Sequence, residues 1–533
     1  MNDFDYVIAG GGTAGCVLAN RLSAAGRNSV LLLEAGPRDS YPWIHIPIGY
    51  AKTMFHPVYN WCFKTEADPG MNGRQIYWPR GRCLGGSSAI NGLIYIRGQR
   101  DDYDGWAALG NPGWSYAEVL PWFRKLEHNV RGANDWHGAD GPQWASDIGT
   151  THELVEALIA AGAEVGIPRN DDFNGATQEG VGYFQLTTRR GFRCSTAVAY
   201  LRPARGRPNL SIETNAQVTR ISLDGRRATG VVYRQGGREA AVTARREVIV
   251  AAGSIQSPQL LQLSGIGPPP LLQSFGIPVA HALDGVGENL QDHLQARVIF
   301  RCTKPITTND TLNSWWRTLA MGARYVLTRT GPMAVGINQG GVFARTDSSL
   351  RRPDVQFHFA TLSSDMAGSP VHAFPGFTMS VCQLRPESRG FVRVKSRDPM
   401  AAPAMQANYL STLKDRATLV AGIRLARRLA ATRALSPYVA GEYLPGPGAI
   451  TDDDLLEFAR AKGATIFHPS GTCKMGPAAD PLAVVDPQLR VHGIASLRVV
   501  DCSIMPTLVS GNTNAPVIMI AEKAADMILG NAV

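Results

Sequence analysis

The chain opens on an apolar run, Asp5-Tyr-Val-Ile-Ala9, which breaks at Gly10-Gly-Gly-Thr-Ala-Gly15 and resumes at Ser29-Val-Leu-Leu-Leu33. The alanine- and leucine-bearing stretch between them, through Arg21 and Leu22, predicts a helix. The opening therefore reads strand, turn, helix, strand. Residues 37–115 are rich in glycine, proline and aromatics and read mostly as loops. Helical patterns follow near 116–127 and 152–165. Strand-like runs then occupy 210–213, 218–223, 229–233 and 247–251. Alternation of apolar and polar positions dominates 296–410, as in Val355-Gln-Phe-His-Phe359 and Phe391-Val-Arg-Val394, and predicts an antiparallel sheet. Helical periodicity returns at 414–434, 451–461 and 515–529, the last ending at Gly530.

Two later runs repeat the character of the first. Glu247-Val-Ile-Val-Ala-Ala-Gly253 ends in glycine, and Leu497-Arg-Val-Val-Asp501 ends in a carboxylate. Strands ending in Gly or Asp suit a ligand at the carboxyl edge of a parallel sheet. The fold expected is mixed α/β and α+β. A discontinuous Rossmann-like domain is built from 1–155, 208–295 and 465–533. A second domain, 156–207 and 296–464, rests on an antiparallel sheet flanked by helices.

The glycine turn gives the first domain a chemistry. In G-x-G-x-x-G, Gly10 permits the tight turn, Gly12 lets backbone approach a pyrophosphate, and Gly15 lets helix and strand pack closely. Thr13 and Ala14 open the helix, whose free N–H groups face the phosphates. Glu34, followed by Ala35 at the end of the second strand, is placed to accept from ribose hydroxyls. These features predict a dinucleotide site but do not separate NAD from FAD.

Composition narrows the class. With 44% hydrophobic and 18% charged residues the chain is globular, and at 533 residues it exceeds one simple core. The charge of +9 comes from scattered basic residues without a stripe or reader motif, which argues against nucleic acid. It is compatible with peripheral contact to anionic lipid. The eight cysteines contain no C-x-x-C, so neither a metal site nor a disulfide framework is expected, and Cys16 and Cys83 read as small buried side chains. With no signal-peptide pattern and no 18-residue apolar run, the expectation is a cytoplasmic protein, at most peripheral to the inner membrane.

A second glycine-rich segment runs from Pro79-Arg-Gly-Arg-Cys-Leu-Gly-Gly-Ser-Ser to Asn91-Gly-Leu-Ile-Tyr95. Its exposed main-chain N–H groups and serines can cradle phosphate or an anionic ring. Here the sequence resembles the glucose–methanol–choline (GMC) oxidoreductases. Residues 80–103 are similar to that family's first signature and 253–267 to its second. Phe467-His-Pro-Ser-Gly-Thr-Cys-Lys-Met-Gly476, Asp501-Cys-Ser-Ile-Met-Pro506 and Gly511-Asn-Thr-Asn-Ala-Pro516 resemble its carboxyl-terminal active-site segments. The texture is nearest to the bacterial choline dehydrogenase-like and alcohol dehydrogenase branch.

The resemblance implies a bound FAD. Gly10, Gly12 and Gly15 would hold its pyrophosphate, with Thr13 and Ala14 beside it, and Glu34 and Ala35 its adenosine ribose. Arg82, Gly85, Gly86, Ser87 and the stretch Asn91, Gly92, Leu93, Ile94 would follow the ribityl–isoalloxazine portion. Val218 would meet the adenine; Ala252, Gly253, Asp501 and Asn514 would complete the site. Some choline-oxidising members link flavin through a histidine in the first signature. That position is Ile90 here, so the FAD is expected to be non-covalent.

The same resemblance makes His468 the catalytic base and Asn512 its partner. Hydride loss from a carbinol requires removal of the hydroxyl proton, and neutral imidazole suits that at neutral pH. The implied reaction takes a primary alcohol to an aldehyde, with hydride passing to flavin N5 and electrons onward to a quinone, a carrier or O₂. Choline as substrate, or an O₂-using oxidase, are the alternatives, and hydroxynitrile lyase a remote one. Choline would need a carboxylate and an aromatic cage, for which Glu442, Asp365, Trp61, Trp315 and Trp316 exist. Trp61, Phe357, Phe359, Phe377 and Phe467, taken as cavity-lining, favour uncharged aliphatic or aryl alcohols instead.

Overall fold

The apolar run at the amino terminus forms the strand Asp3–Ala9, at the middle of a parallel sheet in a computed structural model that describes residues 3–366 and 368–530. On one side it pairs with Val30–Glu34, which pairs with Leu210–Thr214. On the other it pairs with Arg238–Val250, which pairs with Leu497–Val499. All four pairings are parallel, so the carboxyl ends of strands from the beginning, middle and end of the chain share one edge. An antiparallel extension, Arg227–Gln235 and Ala216–Asp224, completes the sheet. The carbonyl of Gly10 lies only 1.9 Å from where a Cβ on Gly15 would be, so only glycine permits this crossing of strand end and helix.

The helix Thr13–Ser23 packs against the last helix, Asn514–Leu529. The Arg21 guanidinium forks onto the buried Glu522 carboxylate at 2.7–3.1 Å, and the Tyr200 hydroxyl donates to the same group at 2.8 Å. A buried carboxylate is stable only with such partners.

The second sheet is antiparallel, in the order Val439–Leu444, Leu294–Cys302, Gly376–Gln383, Val355–Ala360, Asn338–Ala344, Gly180–Tyr183. Helix Leu413–Ala430 covers one face with Leu419, Ile423, Ala426 and Leu429. Gly422 allows the approach, because a Cβ there would fall 2.6 Å from Val381 Cγ2.

Two expectations change. The region read as loops contains a helix, Arg100–Ala108, whose apolar face is reduced to Tyr103 and Trp106 among charges and Gly105. Its start is closed by reciprocal bonds between Gln99 and Asp102, a local capping box with Gln in place of the usual Ser or Thr, which composition hides. The alternating region also holds a helix, Trp315–Thr328, which buries only Tyr325 fully. Among the described residues no helix is long and apolar enough to cross a membrane.

Candidate active site

A cavity of about 870 Å³ opens between the carboxyl edge of the parallel sheet and the polar face of the antiparallel one. That is near the top of the roughly 300–1,000 Å³ usual for ligand pockets. Three helices begin on its wall, at Thr13, Gly253 and Asn514; none is capped by its own N-cap side chain, although Asp501 accepts from Gly253 N. Their N–H groups make the wall receptive to anions. Thr13 Oγ1 donates to Asn514 Oδ1 at 3.1 Å and ties two of these starts together.

Most residues singled out from the sequence line this cavity: Gly10, Gly12, Thr13, Ala14, Glu34, Ala35, Gly86, Ser87, Asn91, Gly92, Leu93, Ile94, Val218, Ala252, Gly253, Asp501 and Asn514. Gly15, Arg82 and Gly85 do not. Gly15 is spent on helix–strand packing, the Gly85 N–H donates to the Gly11 carbonyl at 2.8 Å, and the Arg82 guanidinium lies over the Trp61 ring at 4.8 Å. Cys16 and Cys83 are buried and outside the wall. Glu34 accepts from Gly11 N and Gly36 N, both at 2.8 Å, and burial pushes its carboxyl up to about 7 against those two donors. Asp501 accepts from Gly253 N, Ser257 Oγ and Ser503 N at 2.6–2.8 Å.

The glycines form a cradle. A Cβ on Gly12 would meet nothing of the protein closer than 3.9 Å and would stand in the cavity, while one on Gly92 or Gly253 would meet nothing within 4 Å. Side chains at these positions would therefore contact only a bound molecule.

His468 sits at the other end of the cavity, after a turn rather than in a helix. Phe467 holds φ at 73°, a left-handed conformation costing about 1–3 kcal/mol for a bulky residue. Three bonds hold the turn. Arg80 Nη2 donates to the Phe467 carbonyl at 2.7 Å, Phe467 N donates to Thr465 Oγ1 at 2.6 Å, and His468 N donates to Asp292 Oδ1 at 2.8 Å.

The ring contacts of His468 determine its tautomer. His293 Nε2 faces the Leu384 carbonyl at 3.0 Å, so it must carry a hydrogen. Neutral His293 then offers a lone pair at Nδ1, 2.9 Å from His468 Nδ1, which must be the donor. Neutral His468 is thereby left with an unprotonated Nε2, beside Asn512 Nδ2 at 3.2 Å. Gln356 Nε2 donates to Asn512 Oδ1 at 3.2 Å, which orients the amide so that its NH₂ faces the imidazole. Burial, then the neighbouring His293 and His358, then Arg80, hold His468 well below the ordinary 6.5, so the ring is neutral. Burial likewise lowers His293 to about 4 and His358 to about 3.

His293, His358 and Gln356 were not singled out from the sequence. The signal lay in the alternation: on strand Val355–Ala360, Gln356, His358 and Ala360 share one face. Phe357 and Phe359 occupy the opposite face, with Phe377, in the core under the helix Leu413–Ala430. The expectation that these three phenylalanines line the cavity is thus reversed by the period-two geometry of a strand; Trp61 and Phe467 do line it. The supposed choline cage also disperses. Glu442 is bound by Arg427, Asp365 faces solvent beside His372, and Trp315 and Trp316 stand 79% and 56% exposed. Replacing His293 by phenylalanine should free the His468 ring and cost about 10²-fold in turnover, measured as the rate of flavin reduction.

The GMC oxidoreductase family models match residues 4–295 with the N-terminal part and 386–521 with the C-terminal part. The chain is a GMC oxidoreductase. Human mitochondrial choline dehydrogenase is 43% identical, over 99% of this chain and 90% of its own. "Alcohol dehydrogenase [acceptor]" of Pseudomonas putida is 42% identical, over 99% and 96%. Among solved structures, pyridoxine 4-oxidase from Mesorbium loti superposes with a TM-score of 0.90 at 31% identity, covering 99% of this chain and 100% of that one. As a member of this family the protein is an FAD enzyme that oxidises CH–OH donors. The glycine cradle and the uncapped helix starts at Thr13 and Asn514 fit a dinucleotide with an anionic bridge.

Proposed function

We propose that the protein oxidises a primary alcohol to its aldehyde, with His468 as the base and Asn512 as its partner. The observation carrying this is the unprotonated Nε2 of a buried, neutral His468, held by His293 on one side and beside an oriented Asn512 on the other. FAD supplies the hydride acceptor. Its pyrophosphate would be held at Gly12, Thr13 and Ala14, and its ribose by Glu34, whose oxygens each keep a lone pair. Val218 would face the adenine, and Gly86, Ser87 and Asn91 to Ile94 the flavin, with Asn514 beyond. Ile90 lines the cavity where a linking histidine would be needed, which supports a non-covalent FAD.

The residues themselves do three things. His468 Nε2 takes the hydroxyl proton of the alcohol as hydride leaves the carbon, which an isolated hydroxyl, as weak an acid as water, cannot do unaided. The Asn512 amide donates towards the same oxygen, so it orients the alcohol without competing for the proton. His293 keeps the His468 hydrogen on Nδ1, away from the reacting side.

Anaerobic mixing with primary alcohols tests the reading: the yellow flavin band should bleach with saturating kinetics. Protonated His468 cannot act, and its folded-state pKa lies well below 6.5. The limiting bleaching rate should therefore stay flat as pH falls through 6.5 and decline only on the acid side. A rate that already halves near 6.5 would contradict the burial argument.

A further inference from the structure

We propose that the alcohol taken by this site carries a carboxylate, held by Arg297; the inference rests on the alcohol-oxidising reading above and names its substrate class.

Strand Leu294–Cys302 leads directly away from the catalytic pair. His293, which holds His468, is followed on the same face by Gln295 and Arg297, and both line the cavity. Ala296, Val298 and Phe300 point into the core behind. At about 3.3 Å per residue, Arg297 starts roughly 13 Å along the strand from His293. A guanidinium reaching back from there would meet the far end of a molecule whose carbinol lies at His468.

Arg297, half-buried on the cavity wall, lacks what the buried arginines of this chain possess. Arg97 pairs with Glu127 at 2.6 Å, and Arg498 with Glu247 at 2.7 Å. Arg193 donates to Ile44 O, Ser88 O and Asn91 Oδ1 at 2.7–3.2 Å. Arg297 makes no ion pair among the described residues. Its one side-chain bond is to Ser364 Oγ at 3.5 Å, the outer limit, and its Nε is buried without a partner. Burial pushes it down to about 10, so it remains a cation at neutral pH. Unfilled buried donors are costly, and their planar fork matches a carboxylate in two-point geometry.

Among the described residues no carboxylate pairs with it; Asp365, exposed beside His372, acts on it only through longer-range attraction. The acidic residues on the cavity wall are Glu34 and Asp501, each committed to backbone N–H groups at the dinucleotide end. Ser380, directly across from Arg297 on the neighbouring strand, and Ser364 add hydroxyls to the same wall. A quaternary ammonium would face this guanidinium with no counter-charge, so the substrate named for the choline-oxidising relatives does not fit this wall.

The experiment uses holoenzyme under anaerobic conditions and two matched pairs, 4-(hydroxymethyl)benzoate against benzyl alcohol and 6-hydroxyhexanoate against 1-hexanol, with choline alongside. In at least one pair kcat/KM for flavin reduction should favour the acid by about 10- to 100-fold, and Arg297→Gln should bring that ratio near unity. Arg297→Lys, which keeps the charge but loses the fork, should retain part of it. Independently, benzoate or hexanoate should perturb the flavin spectrum of the parent at concentrations that leave Arg297→Gln unchanged. Equal or better use of the neutral alcohols in both pairs, better use of choline, or a preference surviving in Arg297→Gln would overturn the proposal. If no alcohol bleaches the flavin, the alcohol-oxidising reading fails, while the carboxylate titration still decides the role of Arg297.

Discussion

Replacing His468 by alanine should slow flavin reduction by alcohol by about 10²–10⁴-fold, while the purified protein keeps its yellow colour. The magnitude follows from the loss of the ring whose free lone pair its neighbours fix on the side proposed to meet the alcohol. His358 also lines the cavity as a neutral imidazole near Asn512. It is not braced as His468 is, between His293 Nδ1 and the Asn512 amide, so it cannot be expected to substitute at full efficiency. Stopped-flow absorbance at saturating alcohol is the measurement. A variant that bleaches as fast as the parent would remove His468 from the mechanism and move attention to His358.

The second large effect concerns cofactor retention. Gly12→Ala should give a folded protein depleted of FAD. Gly12 sits at φ −74°, which alanine adopts freely, and its Cβ would clear the protein by 3.9 Å. The added methyl would stand in the cavity where the dinucleotide is proposed to bind, and overpacking of that kind costs about 1–3 kcal/mol, or about 5- to 150-fold in affinity. Gly15→Ala should behave differently, because its Cβ would fall 1.9 Å from the Gly10 carbonyl and the turn itself must shift. The ratio of flavin to protein absorbance, with the melting temperature of each apoprotein, separates the two. Full FAD content in Gly12→Ala would show that the phosphates pass elsewhere.

Some of this organisation was written into local pattern. The turn at Gly10–Gly15 is legible locally, because Gly15 must clear the Gly10 carbonyl five residues back and Gly10 holds φ at 110°, although Gly10 also clears the distant Ala251 carbonyl. The last helix, beginning at Asn514 and closing on Gly530 with φ 68°, matches its periodicity almost residue for residue. His468 stood out because proline and glycine beside it spoke for a fixed turn within a recognisable segment.

What the sequence determined by itself is therefore the strands of the parallel sheet, the glycine turn between the first two elements and the candidacy of His468. The tertiary structure alone decided which face of each strand meets the cavity, and so placed His358 on its wall, Gln356 against Asn512, and Phe357 and Phe359 in the core. It alone brought His293, 175 residues distant, against His468 and so assigned the tautomer. It also left Arg297 without an ion-pair partner among the described residues. The physical reason is the same in each case: alternation fixes that two faces differ, but only packing against a helix on one side selects the face that is dry. Likewise, hydrogen bonds between remote segments have no local signature, because their cost and gain arise only when distant backbone has already been brought together.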